Sequence, residues 1–127
     1  MTINDPEAYV SSLWDWACLD GCFGGNIKPT DIDGLVERNG RFLFIETKLP
    51  NVGIPDGQNI TLSALMDTEV FTVLIVWGHP GEPEKIEVRT RKTTRIYENA
   101  DINRLRNIAG QWYRWANSQT PTPEFKE

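Results

Sequence analysis

The chain of 127 residues is poor in the groups from which many common sites are built. It has two cysteines, Cys18 and Cys22, and one histidine, His79. A structural zinc site usually takes four Cys or His ligands, so such a site within one chain is excluded. The same scarcity argues against a Cys-His or Ser-His hydrolase, in which His79 would have to be the base. No apolar run approaches the roughly 20 residues of a membrane helix. The opening MTINDPEAYV is acidic and lacks the basic-then-apolar order of a secretory leader. The expected compartment is therefore a reducing cytoplasm, with Cys18 and Cys22 as small, partly buried thiols. Basic charge is also in deficit: 13 Lys plus Arg against 18 Asp plus Glu leave a net charge of −5. That excludes coating nucleic acid by bulk charge and leaves room for a local site.

What is present is an ordinary globular balance, with 39% hydrophobic and 24% charged residues. It suits one domain over 1–116 with its own core, followed by a flexible, Pro- and Thr-rich tail over 117–127. Asp5-Pro6-Glu7 starts a helix by capping, fixed φ and dipole compensation. Tyr9, Leu13, Trp16 and Ala17 continue it at helical spacing to about residue 18. Asn39-Gly40 is the dipeptide of a type I′ turn, and IDGLVE before it and RFLFIETK after it make a β-hairpin. A proline- and glycine-containing loop leads to a second helix over 58–66. VFTVLIVWG (70–78) is a continuous apolar run of the kind buried on both faces of a sheet. A turn at His79–Pro83 leads to a single strand over 85–93, expected at a sheet edge. Residues 101–116 form a last helix, with Ile102, Leu105, Ile108, Ala109, Trp112 and Trp115 or Ala116 on its apolar side. The whole is a mixed α/β arrangement.

The turn fixes the hairpin register, so that paired positions sum to 79. Asp33 then faces Glu46 and Asp31 faces Lys48, and both pairs share one strand face with Leu35 and Phe44, which is expected to be buried. Directly opposed carboxylates repel unless something neutralises them, and a hard divalent cation with oxygen ligands does so. Lys48, beside them, can hold a water or stabilise charge on a phosphoryl group.

This arrangement resembles the PD-(D/E)xK nuclease superfamily, and most of all its small phage-type and virus-type replication-repair members. The matching residues are Asp33 in IDG and Glu46-Thr47-Lys48 at the end of the second hairpin strand, with the apolar strand 70–78 following the next helix. The resemblance covers roughly residues 5–78. It implies a restriction-endonuclease-like α-β-β-β-α-β core, with a short first strand within Phe23–Lys28 and an added C-terminal strand and helix. It implies Mg²⁺- or Mn²⁺-dependent hydrolysis of DNA, with Asp33, Glu46 and the Thr47 carbonyl binding metal and Lys48 positioning the attacking water. Gln58, at the start of the second helix, matches a glutamine of phage and recombination members and would orient Lys48 or a phosphate; it also reads as an ordinary polar helix start. Glu7 matches a glutamate found in the first helix of some members, although dipole compensation explains it as well. Asp31, preceded by Pro29-Thr30, is an alternative to Asp33 as ligand.

Charge is unevenly distributed. Residues 1–70 carry four basic and eleven acidic side chains, net −7, whereas 84–114 carry eight basic and four acidic, net +4. Arg89, Arg91, Lys92 and Arg95 are the expected phosphate-contacting group, with a charge-guarded edge strand as the alternative. Trp112, Tyr113 and Trp115 are foremost helix-packing residues that can also stack on unpaired bases. Low overall basicity suggests a dimer or a protein partner. The rival function is a catalytically inactive nuclease-fold protein that acts as an interaction or inhibitor module.

Overall fold

The computed structural model describes residues 5–121, and the Pro-rich end of the expected tail lies outside them. The chain divides into two compact units, one ending at Asp31 and one beginning at Ile32, a boundary that the expected single domain over 1–116 does not mark.

In the first unit, Asp5 caps α1 (Pro6–Ser11) through its side chain, which accepts from Ala8 N–H at 3.1 Å, and Pro6 occupies the first turn. The helix expected to reach residue 18 stops here. The Ser11 and Ser12 hydroxyls bond back to the Ala8 and Tyr9 carbonyls, at 3.0 and 2.7 Å, the local competition by which serine disfavours helix continuation. Trp16 then takes a left-handed conformation (φ 61°), and a single 3₁₀ turn follows at Ala17–Leu19. Among the described residues no strand occurs within Phe23–Lys28, so the short first strand is corrected to irregular chain. Cys18 and Cys22 are free and exposed, not partly buried.

The second unit is α/β, a five-stranded mixed open sheet in the order β1-β2-β3-β4-β5. The strands are β1 (Gly34–Arg38), β2 (Arg41–Lys48), β3 (Phe71–His79), β4 (Glu82–Arg89) and β5 (Thr94–Tyr97). The hairpin forms in the expected register, from Arg38↔Arg41 to Gly34↔Ile45. Asn39 and Gly40 take the positive φ values, 52° and 75°, that a type I′ turn needs. β2 and β3 run parallel, joined through α2 (Asp56–Asp67), and the remaining neighbours are antiparallel.

β3 is the central strand, and Val73 to Trp77 are all buried, as a continuous apolar run requires. Alternation sends Val73, Ile75 and Trp77 to one face, where Phe44 of β2 lies beside them and Leu62 of α2 covers them. Leu74 and Val76 point to the other, where they meet Leu43, Ile86 and the α3 (Ile102–Ser118) residues Ile108, Trp112 and Ala116. Ala116 is the inward residue of that last turn, and Trp115 is exposed. The helix runs to Ser118, past the expected boundary at 116.

Two further expectations are corrected. Residues 85–93 are not one edge strand: β4 turns at 90–93, where Thr90 N–H donates to the Thr93 carbonyl at 2.8 Å, and β5 pairs back along it. β4 is therefore interior. No glycine, proline or asparagine marks that turn, so the sequence lacks the usual signal. Leu35, expected to be buried beside Phe44, is exposed because β1 is the edge strand. Among the described residues no helix is long and apolar enough to cross a membrane.

Candidate functional site

The sheet face under α2 carries charge as well as apolar side chains. Strand alternation and register align three rows there: Phe44–Val73–Arg89, Glu46–Ile75–Glu87 and Lys48–Trp77–Lys85. The two glutamates flank Ile75, roughly 10 Å apart across two strand spacings. Both are buried, at 8% exposure each, and they are the buried charged residues of the described chain.

Charge in such a place needs a partner. Lys48 Nζ lies 3.4 Å from Glu46 Oε1, and both side chains are largely buried. Glu87 accepts from Arg89 Nε, and Arg89 Nη1 also donates to Asn59 Oδ1 at 2.8 Å, which ties the start of α2 to β4. Lys85 Nζ stands 4.8 Å from the centre of the Trp77 ring, and the Trp77 indole N–H donates to the Val52 carbonyl at 2.7 Å. The loop before α2 is thereby held against the end of β3.

Gln58 lies one helical turn before the buried Leu62 and so on the sheet-facing side of α2. Its Oε1 is buried with no hydrogen-bond partner. An unpaired buried acceptor is costly, so a nearby donor would stabilise it.

Asp33 stands one residue beyond the last ladder pair, Gly34↔Ile45. In a two-residue hairpin every second pair exchanges its backbone bonds, which points Thr47 N–H toward β1. Asp33 Oδ2 takes that N–H at 2.8 Å and also accepts from Thr47 Oγ1 at 3.1 Å. The carboxylate expected to face Glu46 is thus engaged by Thr47, in the place of a ladder carbonyl. Glu7 and Asp31 belong to the first unit and are both exposed.

The four basic residues expected to form one phosphate-contacting group separate. Arg89 is committed to Glu87 and Asn59 under α2. Arg95 pairs with Val88 and so projects from the α3 face. Arg91, Lys92 and Arg95 line a cleft of about 670 Å³ with Tyr97, Trp112 and Trp115. That cleft is on the opposite face from Glu46 and Lys48. It also lies toward the other end of β3: Thr72 lines it, whereas Lys48 pairs with Trp77, roughly 17 Å further along the strand.

The sequence places neither Glu87 nor Asn59 beside Arg89, which the structure sets under α2. The signal existed: Lys85, Glu87 and Arg89 alternate with Ile86 and Val88. It becomes a charged row under α2 only once β4 is known to pair with β3 in this register. No family model, no curated protein and no solved structure matches this chain.

Proposed function

We propose that the chain is a metal-dependent nuclease that hydrolyses phosphodiester bonds in DNA, of the kind used in phage or mobile-element DNA processing. The carrying observation is the buried Glu46–Lys48 pair at the end of β2, with the Asp33 carboxylate fastened to the intervening Thr47. The order of hairpin, α2 and parallel β3 agrees with the restriction-endonuclease-like core that the resemblance implies, over residues 32–79. The missing strand and the short α1 narrow that agreement to the second unit.

The donor set is compatible with a hard dication. Asp33, Glu46 and the Thr47 carbonyl offer only oxygen, and Mg²⁺ commonly takes one or two carboxylates and fills its other positions with water and phosphate oxygens. Among the described residues no three His, Cys, Asp or Glu side chains gather around one point. A bound Mg²⁺ or Mn²⁺ would polarise the scissile phosphate and lower the pKa of a water. Lys48 has three ammonium protons; with one directed to Glu46, the others can hold the attacking water or meet charge growing on a phosphoryl oxygen. Gln58 Oε1 can accept from Lys48 or from that water, which would fix its direction.

Cleavage of DNA with Mg²⁺ or Mn²⁺ by the parent, Glu46→Ala and Lys48→Ala tests the reading. Each substitution is expected to lower the rate roughly 100-fold or more, the scale of losing one positioned charge at a reacting centre. Equal rates in all three remove the pair from the chemistry. Calorimetric Mn²⁺ binding should weaken in Asp33→Asn.

One observation favours a second reading. Lys48 already neutralises Glu46 without any ion, which suits a nuclease-like fold that serves as an interaction or inhibitor protein. Absence of cleavage of DNA, RNA and nucleotides under metal-replete conditions would select it. A dimer or partner supplying basic surface is compatible with either, given the net charge of −5.

A further inference from the structure

The cleft on the α3 face has a composition that the proposed hydrolytic pair does not use. Val88 and Ile108 give it apolar walls, Tyr97, Trp112 and Trp115 give it aromatic ones, and Arg91, Lys92 and Arg95 supply three cations. Glu69 is its one acid, and it is paired with Arg91. Its volume, about 670 Å³, is that of a small-molecule site.

One detail specifies the ligand further. Trp115, one position off the buried stripe of α3, is 45% exposed at the cleft although the helix could have placed a polar residue there. An exposed indole beside cations suits a ligand with a flat π-face and negative charge.

We infer that this cleft holds an unpaired nucleotide unit of a single strand, its base against Trp115 and its phosphate at Lys92 and Arg95, the two cations not engaged by Glu69. A base within a duplex has both faces covered by its neighbours, so only an unpaired one offers a face to an indole. Arg104 stands 5.3 Å from the Tyr97 ring centre, so that ring is already partnered and the stacking role falls to Trp115. The inference names the strand state of the substrate and rests on the proposed activity for the word substrate. As a binding site it stands apart, since the cleft and the Glu46–Lys48 pair occupy opposite sheet faces.

The test is fluorescence anisotropy of labelled oligothymidylate with the full chain, in the presence of chelator so that nothing is cut. A duplex of equal length and thymidine monophosphate serve as competitors. The single strand should bind more tightly than the duplex, Trp115→Ala should weaken it roughly tenfold, and Trp115→Phe should restore most of the loss. Lys92→Ala combined with Arg95→Ala should weaken binding and flatten its salt dependence. These side chains are exposed, so folding is not at stake, and circular dichroism confirms it. Equal affinity of the parent and Trp115→Ala, or preference for the duplex, overturns the inference. Binding of the monophosphate without the strand assigns the cleft to a free nucleotide and overturns it as well. Strand binding without any cleavage leaves the inference standing and fails the nuclease reading; cleavage without Trp115-dependent binding does the reverse.

Discussion

Glu46 and Lys48 are each tolerable in their surroundings because of the other. Removing one member of a buried pair leaves an uncompensated charge, whereas replacing both with apolar groups of similar volume is often neutral. Lys48→Ala is therefore expected to destabilise the protein by about 3 kcal/mol. Glu46→Leu with Lys48→Met should come within about 1 kcal/mol of the parent. Urea denaturation of the three proteins checks this, and a parent-like double variant without activity would separate chemistry from stability. Asp33 is different: it is exposed, and its bonds to Thr47 close the open end of the hairpin ladder. At this scale the sequence showed which residues carry charge and, through the turn, the register of Glu46 and Lys48. It did not show that Asp33 would leave the ladder, because one residue beyond the last pair a side-chain acceptor competes with the backbone carbonyl for the same N–H.

Among the elements, the hairpin and α3 depend on one another. The Asn39 amide donates to the carbonyls of Ala116, Asn117 and Gln119, at 3.1 to 3.3 Å, and Arg38 Nε donates to Asn117 Oδ1 at 2.6 Å. Carbonyls at a helix C-terminus have no partner within the helix, and here the β1–β2 turn supplies one. Asn39 thus answers two demands, positive φ and a donor side chain. Asn39→Gly keeps the first and loses the second, so it is expected to cost about 1 kcal/mol; Asn39→Ala loses both and is expected to cost about 2 kcal/mol. Thermal unfolding followed by far-ultraviolet dichroism measures the order of the two. Equal stability of the two variants would mean that the positive φ costs alanine nothing, and parent-like stability of Asn39→Gly would mean that water replaces the amide at no cost. The turn itself was legible because Asn-Gly is a local signal. Its second role was hidden, since the partner carbonyls lie almost 80 positions later in the chain.

For the molecule as a whole, both apolar clusters, the one under α2 and the one under α3, are made entirely of residues after Asp31. The first unit contributes no buried residue to either, and α1 itself buries none. A chain beginning at Ile32 is therefore expected to unfold cooperatively in urea, with a dispersed amide proton spectrum like that of the parent. Non-cooperative unfolding would show that the first unit completes the core. The first unit's exposed Val10, Leu13, Trp14 and Ile27 are further reason to measure the two lengths side by side.

Local causes suffice for the Asn-Gly turn with its register, the β-branched run that is the central strand, and the amphipathic last helix. Each depends on backbone preference or on a short repeat of apolar residues. Tertiary structure decided which charged residues are buried and which face each one occupies. β4 is interior because β5 pairs along its free edge, and its register with β3 puts Arg89 under α2, where it pairs with Glu87 instead of joining the expected phosphate-contacting group. A strand alternates its side chains whether or not anything covers them, so the identity of the covering element is information that no window of the sequence contains.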